Sequence, residues 1–232
     1  LSTALSRVAK FAEAGERVDR ARLGRLQAAA AARLREFALR HACSLVWSLG
    51  KLGARDAGLL RGVAELIALR FRELSPKDLG IASWGFASAR YRHTPALSAM
   101  GATAVQVHEL LYPTELANVV WGFATLQFRQ GQVMAKLAAA CTATADAFQS
   151  KELANVLWSY SSLSYRDEHE TRTDSPLFAR VGGLLAARVA DFDAQGLTNL
   201  VWSYANIRHY APGELLGRCA ARFRALWASL KP

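Results

Sequence analysis

The chain is poor in the residues that carry most covalent and metal chemistry. Its 3 cysteines, Cys43, Cys141 and Cys219, lie far apart and are odd in number. No CxxC pair or Cys/His ligand spacing occurs, which argues against disulfides and zinc and fits a reducing compartment. The 5 histidines, His41, His93, His108, His169 and His209, share no register and sit beside no nucleophile or carboxylate pattern. No convincing strand pattern is present, so no glycine-rich phosphate loop follows one. No run of about 18 apolar residues offers a membrane span. Acids are scarce, 19 against 29 Lys and Arg, and the densest acidic run, Asp167-Glu168-His169-Glu170, reads as a solvated loop. These absences predict a protein that is not an enzyme and that has no metal, no cofactor and no membrane segment. The chain opens at Leu1 without Met, which is compatible with a presequence lying outside it.

Tryptophan is present, and it is periodic. Trp47, Trp84, Trp121 and Trp158 stand 37 residues apart, and Trp202 follows after 44. The segments LGIASWGFASARYR (79–92), LANVVWGFATLQFR (116–129), LANVLWSYSSLSYR (153–166) and LTNLVWSYANIRHY (197–210) align on that residue without gaps, as does ACSLVWSLGKLGAR (42–55). Self-similarity at such a period marks an array of supersecondary units, none of which buries its apolar face alone. The 232 residues therefore read as one α-solenoid domain of about six 37-residue helical hairpins rather than two small domains. Residues 1–37 form a degenerate N-terminal capping unit, and 38–230 hold five repeats. An acidic insertion near 167–175 accounts for the longer step to Trp202.

Each unit splits into helix A, carrying the tryptophan, and an Ala/Leu-rich helix B. Ser75-Pro76-Lys77-Asp78 and Tyr112-Pro113-Thr114-Glu115 are helix starts, with proline at the first helical position and an acid in the first turn. Gln149-Ser150-Lys151-Glu152 keeps the cap and the acid. Helix B is predicted over roughly 57–74, 95–111, 132–148, 176–192 and 212–230, each ending near an apolar residue ten before the next tryptophan. The fold class is all-α, a right-handed superhelix of stacked hairpins.

On a helical wheel, positions −5, −2, −1, +2 and +5 from the tryptophan are apolar, as in Leu116, Val119, Val120, Phe123 and Leu126. The tryptophans read as structural, packed against the neighbouring unit. A polar stripe is left at −7, −3, +1, +4 and +8. Position +1 is only Ser or Gly, small enough to let a ligand approach. Position −7 supplies Arg40, Lys77 and Lys151; position −3 supplies Asn118, Asn155 and Asn199. Position +4 varies, through Lys51, Ser88, Thr125, Ser162 and Asn206. Position +8 is a column of arginines, Arg55, Arg92, Arg129 and Arg166.

Net charge is +10, and 23 of the 29 basic residues are arginine, whose planar fork suits phosphate. A repeated guanidinium beside variable short polar groups fits an RNA strand, the arginines on phosphates and the +4 and −3 residues on bases. The same features have structural readings: the asparagines as caps between units, the arginines as partners of the helix A dipole.

The LANVVWGFATLQFR and LANVLWSYSSLSYR segments, with the SPKDL and YPTEL starts, resemble octotricopeptide repeats, and the 37-residue period is still more similar to heptatricopeptide repeats. The resemblance spans about residues 37–230. It implies an organellar RNA-binding protein, mitochondrial (matrix) or else in a plastid. It further implies an accessory subunit of a mitochondrial ribosome that holds fragmented rRNA, with single-stranded or structured RNA and neighbouring ribonucleoprotein subunits as partners. A free factor for organellar mRNA stability or processing, and a protein–protein scaffold in another organellar complex, are the alternatives. Many relatives carry a C-terminal RAP domain, for which the sequence ending at Pro232 leaves no room. The first unit departs from the pattern at Ser44 and Leu49.

Overall fold

The computed structural model describes residues 1–163, 175–207 and 213–229. Among them the expected all-α architecture holds: twelve α-helices form six hairpins, with no strand. The helix A series is α1 (Ser2–Glu13), α3 (Leu39–Lys51), α5 (Pro76–Ser88), α7 (Pro113–Thr125), α9 (Ser150–Ser162) and α11 (Ala194–Ile207). The helix B series is α2 (Arg20–Ala32), α4 (Ala57–Arg70), α6 (Thr94–Val107), α8 (Gly131–Ala143), α10 (Pro176–Ala187) and α12 (Leu215–Ser229). Each A packs on the A of the next unit and each B on the next B, giving a two-layer solenoid. The A layer is the more closely packed of the two. With equal numbers of helices in both, the tighter layer lies on the inside of the curve. The acidic residues 167–174 and the expected start of the last helix B at Pro212 lie outside the described residues.

Helix A begins where the sequence says it should. The Ser75 hydroxyl accepts from the Asp78 N–H at 3.2 Å, and the Glu115 and Glu152 carboxylates accept the Tyr112 and Gln149 N–H groups at 3.0 and 2.9 Å. These acids satisfy orphan donors of the first turn. The five apolar positions of the wheel are buried in the unit of Trp121, as Leu116, Val119, Val120, Phe123 and Leu126, and elsewhere all but Leu52, Val201 and Ile207 are buried too. Position +2 also ties the layers together: the Tyr160 and Tyr204 hydroxyls donate to the Met134 and Phe178 carbonyls of helix B at 2.9 and 2.7 Å.

Helix A ends earlier than the wheel assumed. The α-helix stops at +4, and residue +6 is left-handed in three successive units: Gly53 at φ 60°, Arg90 at 52° and Gln127 at 54°. The N–H of +7 then bonds the carbonyl of +2 (Ala54 to Leu49, Tyr91 to Phe86, Phe128 to Phe123), and that of +6 bonds +3. This is a Schellman closure, and its characteristic hydrophobic contact is present, with Phe123 and Phe128 ring centroids 4.8 Å apart. The aromatic at +7 thus belongs to the cap rather than to the helix.

Helix B also stops short, at Arg70, Val107, Ala143 and Ala187, and is completed by 3-10 turns such as Phe71–Glu73 and Ala145–Ala147. The residue closing each turn is extended, which frees its carbonyl. Arginines one unit on take that acceptor: Arg70 bonds the Phe37 carbonyl at 3.1 Å, Arg188 that of Phe148 at 2.9 Å, and Arg222 that of Phe192 at 3.2 Å.

The small residue at +1 has a packing role, which overturns its assignment to the ligand-facing stripe. Ser48, Gly85, Gly122, Ser159 and Ser203 are all buried. A Cβ on Gly85 would stand 2.7 Å from the Trp47 backbone nitrogen, and one on Gly122 2.7 Å from the Ser83 carbonyl oxygen. Two of these measures are directly checkable. Gly122→Ala should destabilise the fold by about 1–3 kcal/mol, because the obstacle is backbone and cannot swing aside. Gln127→Gly should stabilise it by about 1 kcal/mol by removing a left-handed non-glycine residue. Chemical denaturation of the two variants reads both.

Candidate nucleic-acid interface

With +1 buried between units and +8 beyond the helix end, the open arc of helix A is defined by −7, −3, 0 and +4. At about 100° per residue these four fall within roughly 60° of one another. The tryptophan, besides packing against the neighbouring unit, therefore lies on the same arc as the polar stripe. Trp47, Trp84, Trp121 and Trp158 are half-buried, and Trp202 is 43% exposed. Trp121 and Trp158 pack against the core while remaining partly open to solvent. Neighbouring rings are in contact for three of them, tilted at 42° between Trp47 and Trp84 and stacked between Trp84 and Trp121. Trp47 and Trp84 centroids are 6.1 Å apart, and Trp84 and Trp121 are 6.4 Å apart at an interplanar angle of 27°. None of these indole N–H groups has a hydrogen-bond partner among the described residues, and none is sealed from solvent.

One turn before the tryptophan, the asparagines divide. The Asn118 and Asn155 amides have no partner among the described residues and are not sealed from solvent, so they do not cap the neighbouring unit. Asn199 accepts from Gln195 at 2.9 Å within its own helix. At −7, Arg40, Lys77 and Lys151 are exposed at the start of helix A, Arg40 touching His41 at 3.3 Å. Thr114 occupies the same position in its unit and donates to Glu152 of the next at 2.6 Å.

Position +4 turns towards the preceding unit. A Cβ on Gly50 would stand 3.0 Å from that of Ser88, and the Asn206 amide donates to the Ser161 carbonyl at 2.7 Å. Ser162 bonds the Ser159 carbonyl of its own helix at 2.9 Å. The Thr125 hydroxyl is buried with no partner. Lys51 is held by Glu13 at 2.6 Å, with its ammonium 5.6 Å from the Trp47 ring and 4.9 Å from the Trp84 ring. The chain's own lysine thus covers the start of the tryptophan row.

The arginines at +8 are exposed where they are described, at Arg55, Arg92 and Arg129; Arg166 lies outside the described residues. They stand in the A-to-B loops, four residues past the last helical position, and Arg129 bonds the Gln127 side chain at 2.7 Å. They form a border of the A layer rather than a continuation of its helical face. Elsewhere some of the positive charge is paired, as in Arg33–Glu36, Arg70–Glu73, Arg180–Asp146 and Arg218–Glu214. Cys43, Cys141 and Cys219 are buried and free, and burial pushes the Cys43 and Cys141 thiols well above their ordinary range. No group of residues suited to holding a metal ion occurs among the described residues. No described helix is long and apolar enough to cross a membrane.

Residues 70–171, less than half of the chain, match the family of the RNA-editing substrate-binding complex 6 protein. The matched segment carries α5, α6, α7, α8 and α9, and with them Trp84, Trp121 and Trp158. No curated protein matches the chain. The octotricopeptide and heptatricopeptide likeness remains a resemblance of motif and period, since the matching family bears another description.

On the wheel the tryptophan adjoins the stripe, since 0, −7, +4, −3, +8 and +1 follow one another at steps of about 20°; the end of the helix removes +8 and the packing of the neighbouring unit removes +1. One consequence concerns Thr125. Its buried, unpartnered hydroxyl contributes nothing to a ligand-facing surface. Thr125→Val should raise stability by roughly 1 kcal/mol in a denaturation midpoint measurement. A loss of stability would show that the hydroxyl has a partner after all.

Proposed function

We propose that the chain is a non-enzymatic RNA-binding helical-repeat protein that holds a strand along the open arc of its A layer. The observation that carries this reading is the row of half-exposed indoles with unpartnered N–H groups, flanked by the free amides of Asn118 and Asn155. Aromatic faces and amide groups suit bases that are not paired. Lys77 and Lys151 on one border and Arg55, Arg92 and Arg129 on the other supply exposed cations for the phosphates. The likeness of residues 70–171 to a family named for an RNA-editing substrate-binding complex supports an RNA-related role.

The finer reading is a subunit of a mitochondrial ribonucleoprotein. The repeat resemblance favours an accessory protein of the mitochondrial ribosome on rRNA, whereas the family match favours an RNA-editing assembly; the RNA that copurifies separates them. Neighbouring protein subunits have surface to use as well. Leu69, Leu110 and Tyr112 are 82%, 66% and 75% exposed.

Titration of a single-stranded RNA with the chain should show strong salt dependence. With six or more phosphates engaged, affinity should fall by about 10³ to 10⁵ between 50 and 200 mM salt. Replacing Arg92 and Arg129 by Gln should lower affinity for all sequences alike and flatten the salt slope by about 2. An unchanged slope would remove the arginines from the phosphate contacts.

A further inference from the structure

The A layer is not evenly spaced, and the unevenness follows position +1. Where that residue is glycine, at Gly85 and Gly122, helices α3, α5 and α7 approach to backbone contact and their tryptophan rings touch, at interplanar angles of 42° and 27°. Where it is serine, at Ser159 and Ser203, helix α9 sits less closely on α7, and α11 less closely on α9. Among the described residues Trp158 makes no ring contact with Trp121 or Trp202. The side chain at Ser159 is buried, with its hydroxyl bonded to the Asn155 carbonyl at 2.6 Å, so it acts as a spacer between the helices. Three tryptophans thus form a closed series, and the row opens between Trp121 and Trp158.

The open step differs from the closed one in a second way. At the closed end, Lys51 lies over the rings and is neutralised by Glu13. At the open step, the corresponding residues are Thr125 and Ser162, whose short side chains are turned to their own or the preceding unit. One turn before Trp121 and Trp158 stand Asn118 and Asn155, the two free amides. Two half-exposed indoles without mutual ring contact and two free amides therefore coincide at one junction, with no covering cation among the described residues.

We propose that the Trp121–Trp158 junction is a slot for one unpaired nucleobase, inserted between the two indoles and read on its edge by Asn118 and Asn155. The proposal rests on the RNA-binding reading and specifies where that binding gains its base contact. A planar ring between two aromatic faces replaces the stacking the two tryptophans lack, and an amide that both donates and accepts matches a base edge. Lys151, exposed two turns before Trp158, is placed for the adjoining phosphate. The series Trp47, Trp84 and Trp121, already in ring contact, takes no base between its rings.

The test uses a 12-nucleotide single-stranded RNA with one central 2-aminopurine and the same strand made abasic throughout, both titrated at fixed salt. The intact strand should bind roughly 10-fold tighter or more, the effect expected of stacking one base on aromatic rings, and its 2-aminopurine emission should be quenched. Ser159→Gly, which lets α9 close on α7, should abolish both differences while leaving abasic-strand affinity unchanged. Trp158→Leu is a second route to the same loss should the glycine variant fold poorly, with helical content checked by circular dichroism. Asn118→Ala combined with Asn155→Ala should keep the quenching but level the affinities for different central bases. Salt-sensitive binding that is equal for both strands, or unaltered by Ser159→Gly and by Trp158→Leu, overturns the slot and leaves RNA binding standing. Binding of neither strand overturns the RNA reading and the slot together.

Discussion

The contact between successive A helices at the residue after the tryptophan governs the rest of the molecule. With glycine there, two backbones meet, and a single added Cβ would stand within 2.7 Å of the neighbouring main chain. That approach makes the A layer the tighter of the two and sets the bend of the array. It also decides how far apart the tryptophans of adjacent units stand, and so whether their rings touch or part. A position with almost no side chain thus controls the surface formed by the largest one. The rest of the core, including Val119, Phe123 and the tyrosine hydroxyls that reach helix B, holds each hairpin in the register this contact requires.

The positive charge is divided between two tasks. Arginines of helix B and its closing turns tie units together through main-chain carbonyls, as Arg70, Arg188 and Arg222 do, or pair with acids three or four residues away. The exposed cations that border the A layer are a smaller set. The net charge of +10 already counts the acids, and where the exposed cations stand says more about what a polyanion meets than the total. Acids at the start of helix A have a structural task, since Asp78, Glu115 and Glu152 serve the first turn.

Much of the fold was legible in the sequence. The tryptophan period gave the unit, the prolines at 76, 113 and 176 gave helix starts, and the apolar positions of the wheel are the buried ones. Two features were not. The wheel was carried past +4 to the arginines at +8 because the left-handed residue that ends the helix is glycine only at Gly53; Arg90 and Gln127 occupy that backbone state in the next two units with no signal in their identity. The small residues at +1 were assigned to a ligand because smallness looks the same whether it admits a ligand or a neighbouring helix. Only the angle facing the next unit distinguishes them, and tertiary packing sets that angle. The tryptophans were taken as wholly structural for a related reason: a large apolar residue at helical spacing is usually core, and these are only partly buried.

The central claim is that the inner layer, along the tryptophan row, is where RNA lies. Ultraviolet crosslinking of the bound RNA followed by mass-spectrometric mapping of the modified peptides tests it most directly. The account predicts adducts concentrated in the helix A segments 76–88, 113–125 and 150–162. Adducts confined to helix B, with those three segments unmodified, would contradict it.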